Sequence, residues 1–392
     1  MILLFLNQLK FYFHIKVPAV FYYTSTRMLL ASLTALILSI LLGPYFIRKL
    51  YEFKIGQTIR TDECPLLGSL HRNKNSTPTM GGILILFSML ISLFLWMDLT
   101  SIYTWILLFT TLSLGIVGGY DDFLKLKHKN TKGLSGKKKL LFQALISICI
   151  GSYFLFPLIS QEVDHVLQIR EPVVKEKEAK QISLKNYMNR FYVPFKKEPL
   201  LNLGIIASFI WITFVITGAS NSVNLTDGLD GLASGCLIMV ASVFALIAFV
   251  SNNIEVASYL NVLYIEGSGE IAIYLLACIG ALLGFLWYNG HPAQIFMGDI
   301  GSLTLGGIIG VSAVLLKKEM LLGIAGGVFV IEALSVIIQV ASFKLRRERV
   351  FLCAPLHHHF EYKGWPETKV VTRFWIISLI FAFFGLATLK FQ

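Results

Sequence analysis

Five aspartates set the terms of this chain. Asp121 and Asp122 sit side by side at the end of one apolar segment, Asp227 and Asp230 lie three apart before another, and Asp299 opens a third. Adjacent carboxylates at a membrane boundary repel each other unless they share a cation or a proton, so the pair is costly without a role. Oxygen donors arriving from remote segments suit Mg2+, which is usually held by one or two carboxylates together with substrate phosphates. The chemistry this predicts is the handling of phosphate by a metal site at a membrane surface.

Each aspartate run also has a plainer reading. Gly118-Gly-Tyr-Asp-Asp-Phe123 leads into a basic loop and, taken alone, would serve as a solvated helix end. In Asn221-Ser-Val-Asn-Leu-Thr-Asp-Gly-Leu-Asp-Gly-Leu-Ala233, Thr226 or Asp227 would do as a helix cap. A cap does not explain the whole run: Asn221, Asn224, Asp227 and Asp230 recur every three residues, which predicts one polar side on a helical or near-helical segment. Asn289-Gly-His-Pro-Ala-Gln-Ile-Phe-Met-Gly-Asp-Ile-Gly-Ser302 places Asp299 at a helix start, where backbone N–H groups and the dipole favour phosphate. Phe296 offers an aromatic face to a base, although a lone Phe is more often an interfacial packing residue.

Two further groups stand out. In Pro355-Leu-His-His-His-Phe-Glu361, successive rings on a helix point about 100° apart, so the three cannot all bind one tetrahedral metal. With Pro355 at a helix start, one or two of them would donate to a phosphate. Glu332 and Gln339, seven apart in one apolar segment, are expected to face inward and hydrogen-bond between helices, because hydrocarbon penalises a mid-helix charge by roughly 2.5 kcal/mol or more.

The elements that must position these residues are legible from composition. Of 392 residues, 55% are hydrophobic and 15% charged. Apolar stretches predict spans at about 28–47, 80–97, 101–119, 140–158, 200–219, 232–250, 271–288, 301–316, 320–343 and 374–389. The fold class is therefore all-α: a polytopic helical membrane protein with about ten transmembrane helices. Lys and Arg crowd the segments after the first, third and ninth spans, which assigns those segments to the cytoplasm and both termini to the outside. The chain reads as one integral-membrane domain, 1–392. It has an interfacial N-terminal segment 1–27, a charged external loop 159–199, and cytoplasmic loops 48–79, 120–139, 220–231, 289–300 and 344–373. The net charge of +11 would attract anionic headgroups and phosphorylated substrates, and nothing in its pattern points to nucleic acid. Five scattered cysteines with no CxxC pair argue against a disulfide framework or zinc knuckle.

Together with His71-Arg-Asn-Lys-Asn-Ser-Thr-Pro-Thr-Met-Gly-Gly82, these runs resemble the polyprenyl-phosphate N-acetylhexosamine-1-phosphate transferases, in order from about Met28 to the C-terminus. Within them, the triple-histidine run is most similar to the phospho-N-acetylmuramoyl-pentapeptide transferases. That resemblance implies transfer of phospho-MurNAc-pentapeptide from UDP-MurNAc-pentapeptide to undecaprenyl phosphate, giving lipid I and UMP. It implies Mg2+ as cofactor and a bacterial inner-membrane location, with membrane lipids around the chain and the active site on the cytoplasmic side. It leaves a homodimer open. By the same resemblance, Asp121, Asp122, Asp299, His357 and His358 are expected to be catalytic, with Asp299 and Asp121 as metal ligands and Asp121 as the base for the lipid phosphate. Asn221, Asp227, Asp230, Asn289 and Phe296 are expected to line the nucleotide pocket, with Phe296 stacking on uracil and Lys74 and Thr79 contributing. Lys125, Lys129 and Lys137 match basic positions near substrate phosphates, and His359 completes the signature.

Ser76 stands where the family pattern has glycine, Cys353 where it has methionine, and the stretch 161–198 is longer than expected. Two rivals remain at this level. One is a sister enzyme using UDP-GlcNAc and a polyprenyl phosphate; the other is an ion-coupled transporter, which would place its acidic groups nearer mid-membrane on broken helices.

Overall fold

Apolar runs of this length become helices because hydrocarbon holds no water to satisfy exposed backbone groups. A computed structural model of the chain describes residues 12, 18–53, 77–128, 133–156, 169–170 and 182–390. Among the described residues, nine helices are long and apolar enough to cross a membrane: α1 (Thr24–Glu52), α3 (Ile102–His128), α4 (Gly136–Leu155), α6 (Gly204–Thr226), α7 (Leu232–Ser251), α9 (Gly269–Asn289), α10 (Gly298–Leu315), α12 (Gly327–Arg346) and α14 (Glu367–Lys390). A tenth, α2 (Gly82–Trp96), is shorter. Shorter elements are α5 (Leu184–Asn189), α8 (Ile254–Tyr259), α11 (Glu319–Ala325), α13 (Leu356–Tyr362) and four two-residue strands: β1 (Ile169–Arg170), β2 (Arg190–Phe191), β3 (Leu201–Asn202) and β4 (Tyr264–Ile265). β1 pairs with β4 and β2 with β3, both antiparallel.

Helices α9 and α10 form the centre of the bundle and are the two most covered spans. α9 packs chiefly against α1 and α7, and α10 against α6 and α3. Small residues let the chains approach closely enough to bring the site together. A methyl group added at Gly118 of α3 would collide with the backbone of Asp299, and one at Gly82 with the backbone of Gly301.

The helices alternate in direction, so the aspartate-bearing ends share one face of the bundle. The start of α1 and the end of α14 lie at the opposite face. There Arg27 pairs with Glu270 at 2.7 Å, and Glu270 also accepts the Asp98 N–H at 2.9 Å. On that same face the Tyr187 hydroxyl donates to Leu315 O at 2.8 Å, and Lys317 pairs with Glu319 at 2.7 Å. Leu184, Tyr187 and Met188 are buried, so this part of the predicted external loop is docked on the bundle rather than solvated.

Three predicted boundaries are corrected. The first helix runs beyond 28–47 at both ends. The third continues to His128, so Asp121 and Asp122 lie within its last turns, where Lys125 pairs with both from positions i+4 and i+3. The predicted span 320–343 is broken at Gly326, a poor helix former, into α11 and α12.

Candidate active site

The end of α3, the start of α10 and the first turn of α4 meet around three carboxylates. Asp121, Asp122 and Asp299 each offer an oxygen within 4.8 Å of the others, and at 0%, 3% and 9% exposure they hold little water of their own. Lys125 Nζ reaches Asp121 Oδ2 at 2.7 Å, Asp299 Oδ2 at 3.0 Å and Asp122 Oδ1 at 3.3 Å. Lys139 Nζ lies 2.9 Å from Asp121 Oδ2 and 2.5 Å from Asp299 Oδ2. Backbone donors fix the remaining oxygens: the Leu134 N–H donates to Asp121 at 2.6 Å, and the Ile300 N–H at the start of α10 donates to Asp122 at 3.1 Å. Asn224 donates to Asp299 Oδ1 at 2.9 Å and to Ser302 Oγ at 2.8 Å. Three convergent carboxylates with no nitrogen or sulfur donor among them form a group that fits a hard divalent cation.

Lys139 was not singled out in the sequence, where Lys137 matched the family pattern. Lys137 is exposed at the start of α4, and Lys139, two residues on and therefore on the other side of the helix, enters the cluster. The signal was available: Lys139, Gln143, Ser147 and Ile150 follow the helical period, and the last three are the buried face of α4. Lys139→Met should lower turnover by about a hundredfold, since it removes one of two ammoniums facing the carboxylates. Initial rates at saturating substrate check this, and a variant within a factor of a few of wild type would remove Lys139 from the site.

Asp227 lies just past the end of α6 and keeps an opening to solvent. Burial, and then the anionic Asp299 and Asp122, push its carboxyl up to about 7 against the opposing Gly298 N–H and Lys125. The folded-state value is thus raised above the ordinary carboxylate range, so its stabilising contribution is present at acid pH and lost as pH rises through about 7. The cation-free protein should therefore melt at lower temperature at pH about 8 than at about 5, with Asp227→Asn flattening that slope. Thermal melts in detergent measure it; an equally steep slope in the variant would show that Asp227 is not the titrating group.

The three-residue spacing from Asn221 to Asp230 does not give one polar side. α6 ends at Thr226 and the chain turns, which divides the run. Asn221 donates to Gln143 Oε1 at 2.7 Å, one turn back from the cluster. Asp230 instead accepts the Ala293 N–H at 3.1 Å and lies 3.0 Å from His291 Nδ1, while Glu367 takes the Asp230 N–H at 2.9 Å. Buried Asn289 accepts from the Gly231 N–H at 3.1 Å and the Ser234 hydroxyl at 3.2 Å and donates to Ile295 O at 2.8 Å. Asp230 and Asn289 thus tie the 227–231 turn to the 289–297 loop. Asp230, His291 and Glu367 also have ligand atoms close together, but Asp230 is already engaged with backbone and with His291.

Phe296 is half-buried, its backbone clipped to the 77–81 segment by the Phe296 N–H to Pro78 O at 2.8 Å and the Gly81 N–H to Phe296 O at 2.7 Å. That clip brings Thr79 beside Gly298, next to the carboxylates. Lys74 and Lys129 lie outside the described residues.

The three histidines diverge, as successive helical positions must. His358 Nδ1 meets Glu361 Oε2 at 2.7 Å, and His359 Nδ1 accepts the Leu352 N–H at 3.1 Å. His357 is fully buried, its Nε2 against Gly228 in the Asp227 turn. The expectation that Glu332 and Gln339 join spans to one another is corrected: both hold the connection that carries the histidines. Glu332 accepts the Leu356 and His357 N–H groups at 2.7 and 3.1 Å, and Gln339 Oε1 accepts those of Val350 and Phe351 at 3.1 and 2.9 Å. Buried side-chain acceptors and a turning backbone solve each other's unmet hydrogen bonds.

A bundle of apolar helices with carboxylates and ammoniums gathered at one membrane face defines a class, and residues 104–317 match the family described as Glycosyl transferase family 4. The chain is a polytopic membrane member of that family. It is also 62% identical, over 410 residues that span 100% of each chain, to the phospho-N-acetylmuramoyl-pentapeptide-transferase of Protochlamydia amoebophila (strain UWE25). The chain belongs to the phospho-N-acetylmuramoyl-pentapeptide-transferase family.

Proposed function

We propose that the protein transfers phospho-MurNAc-pentapeptide from its UDP carrier to undecaprenyl phosphate, releasing UMP and forming lipid I, at the cytoplasmic face of the bacterial inner membrane. The observation that carries this reading is the meeting of Asp121, Asp122 and Asp299 under two lysines at one end of the bundle. A lipid phosphate and a soluble nucleotide can meet only at such an interface. Among the described residues of the Lys- and Arg-rich segments, Lys49, Lys125, Lys139, Lys344 and Arg346 lie at the helix ends on that face, which supports its cytoplasmic assignment.

Exchange of one phosphoanhydride for another asks for alignment and charge neutralisation more than for a protein nucleophile. An oxygen of the lipid phosphate attacks the sugar-bearing phosphorus, the bond to the UMP oxygen breaks, and the electron pair leaves with UMP. Mg2+, held by Asp299 and Asp121 with Asp122 beside them, would supply charge neutralisation on the phosphate oxygens. Lys125 and Lys139 add positive charge there, and Asp121 accepts the proton of a monoprotonated lipid phosphate. Phe296, partly open beside Thr79, is the surface for uracil. Lys74, Lys129 and Lys137 are assigned to substrate phosphates, and Asp230 and Asn289 shape the nucleotide pocket by holding its two loops together.

The test is UMP release from UDP-MurNAc-pentapeptide with and without undecaprenyl phosphate and Mg2+. Release requiring all three is the expected result, and equal turnover of UDP-GlcNAc would assign the sister activity instead. Exchange of labelled UMP into the UDP-sugar without lipid phosphate would replace direct attack by a covalent route.

A further inference from the structure

Behind the carboxylate cluster runs a second layer of polar contacts that the chemistry above leaves unused. Gln143 of α4 is fully buried. Its amide nitrogen donates to the Ser220 hydroxyl of α6 at 3.0 Å, and its oxygen accepts from the Asn221 amide at 2.7 Å. Ser220 in turn donates to Leu303 O of α10 at 2.7 Å. One turn nearer the membrane face, the same helices carry groups that meet at Asp299. Lys139 stands four residues before Gln143 on one face of α4, and Asn224 stands three after Asn221 on α6. Ser302, which the Asn224 amide also reaches, immediately precedes Leu303 on α10.

The three helices differ in what else fixes them. α6 is seated on α10 through backbone: a methyl group at Gly306 would strike the Ala219 carbonyl and the Ser220 Cα. α4 instead turns Leu140, Leu141, Phe142 and Leu145 outward, and Gln143 is its first buried residue. Lipid tails are as apolar as a leucine-lined helix face, so apolar contact alone sets the rotation of such a helix weakly, whereas a buried amide must find its partners. We propose that Gln143 is a positioning residue for the transfer: by bonding Ser220 and Asn221 together it fixes the rotation and depth of α4 on α6, and so holds the Lys139 ammonium on Asp121 and Asp299. Gln143 itself touches no substrate. This rests on the transferase reading above.

The experiment compares kcat for UMP release by the full-length protein in detergent for wild type, Gln143→Leu, Lys139→Met and the double variant. Leucine is close to glutamine in size and orphans neither partner, since the Asn221 amide also donates to Thr217 O at 2.8 Å and Ser220 keeps Leu303 O. Gln143→Leu should lower kcat about tenfold through misplacement of the ammonium. KM for the UDP-sugar should change by no more than about twofold, because Lys139 faces the carboxylates and not the loops that shape the nucleotide pocket. A loss carried through Lys139 vanishes once the lysine is gone, so in the Lys139→Met background the same substitution should lower kcat by less than about twofold. Unchanged kcat in Gln143→Leu overturns the proposal. An equal loss in both backgrounds does so too, since general loosening of the bundle acts without the lysine. If Gln143→Leu does not fold, Ser220→Ala, which removes the hydroxyl that takes the Gln143 amide, carries the same comparison: a loss of about threefold confined to the Lys139 background supports the role, and no loss or an equal loss in both overturns it. Wild-type turnover is measured first: its absence defeats the transferase reading, whereas turnover with independent losses defeats only the positioning role.

Discussion

Asp299→Asn should lower cation-dependent UMP release by about a thousandfold or more while leaving the protein folded. The two halves of that expectation have separate causes. Asn keeps an oxygen for the Asn224 amide, which now donates to Asp299 Oδ1 at 2.9 Å, and leaves the Asn224–Ser302 bond intact. The packing of α6 on α10 therefore survives. What disappears is the anion that both Lys125 and Lys139 approach, and with it one of the three oxygens available to a divalent cation. Raising the Mg2+ concentration should recover little of the rate, because charge as well as a ligand is lost. Melting temperature and UMP release measured on one preparation check both halves, and unchanged turnover would remove Asp299 from the metal assignment.

Gly118→Val should be nearly as damaging although it touches no substrate. The added Cβ would strike the carbonyl and Cα atoms of Asp299 and Ile300, which are backbone and cannot swing aside as a side-chain tip can. Separation of α3 from α10 would then move Asp121 and Asp122 away from Asp299. Misplacement of about 1 Å costs reactions of this kind about a hundredfold, and the overpacking should cost about 1–3 kcal/mol of stability. Gly119→Ala is the comparison, since its Cβ would meet only the Ile300 side chain, at 3.3 Å. That variant should retain most of the rate. Equal activity in the two variants would show that close approach of α3 and α10 does not set the carboxylate geometry.

Much of the candidate site was legible because its signals are local. Paired aspartates, a Gly-Asp at a helix start and a triple histidine are read from a few neighbouring residues, and Asp121, Asp122 and Asp299 do converge. Other assignments depended on the rotational phase of a helix or on where it stops. Lys139 enters the cluster and Lys137 does not because of their phase on α4. Asp230 turns toward His291, not Asp299, because α6 ends at Thr226.

The sequence by itself determined that the chain is an all-helical membrane protein of about ten spans with its acidic runs at one face, because hydropathy and charge act residue by residue against water and lipid. It also carried the family, through motifs that need no folding to be read. Only the tertiary structure decided that Asn224 and Lys139 reach Asp299, and that Glu332 and Gln339 hold the histidine-bearing connection rather than joining spans. The physical reason is that a buried polar group takes whichever partner packing brings within about 3 Å, and for Lys139 that partner, Asp299, lies 160 residues away along the chain.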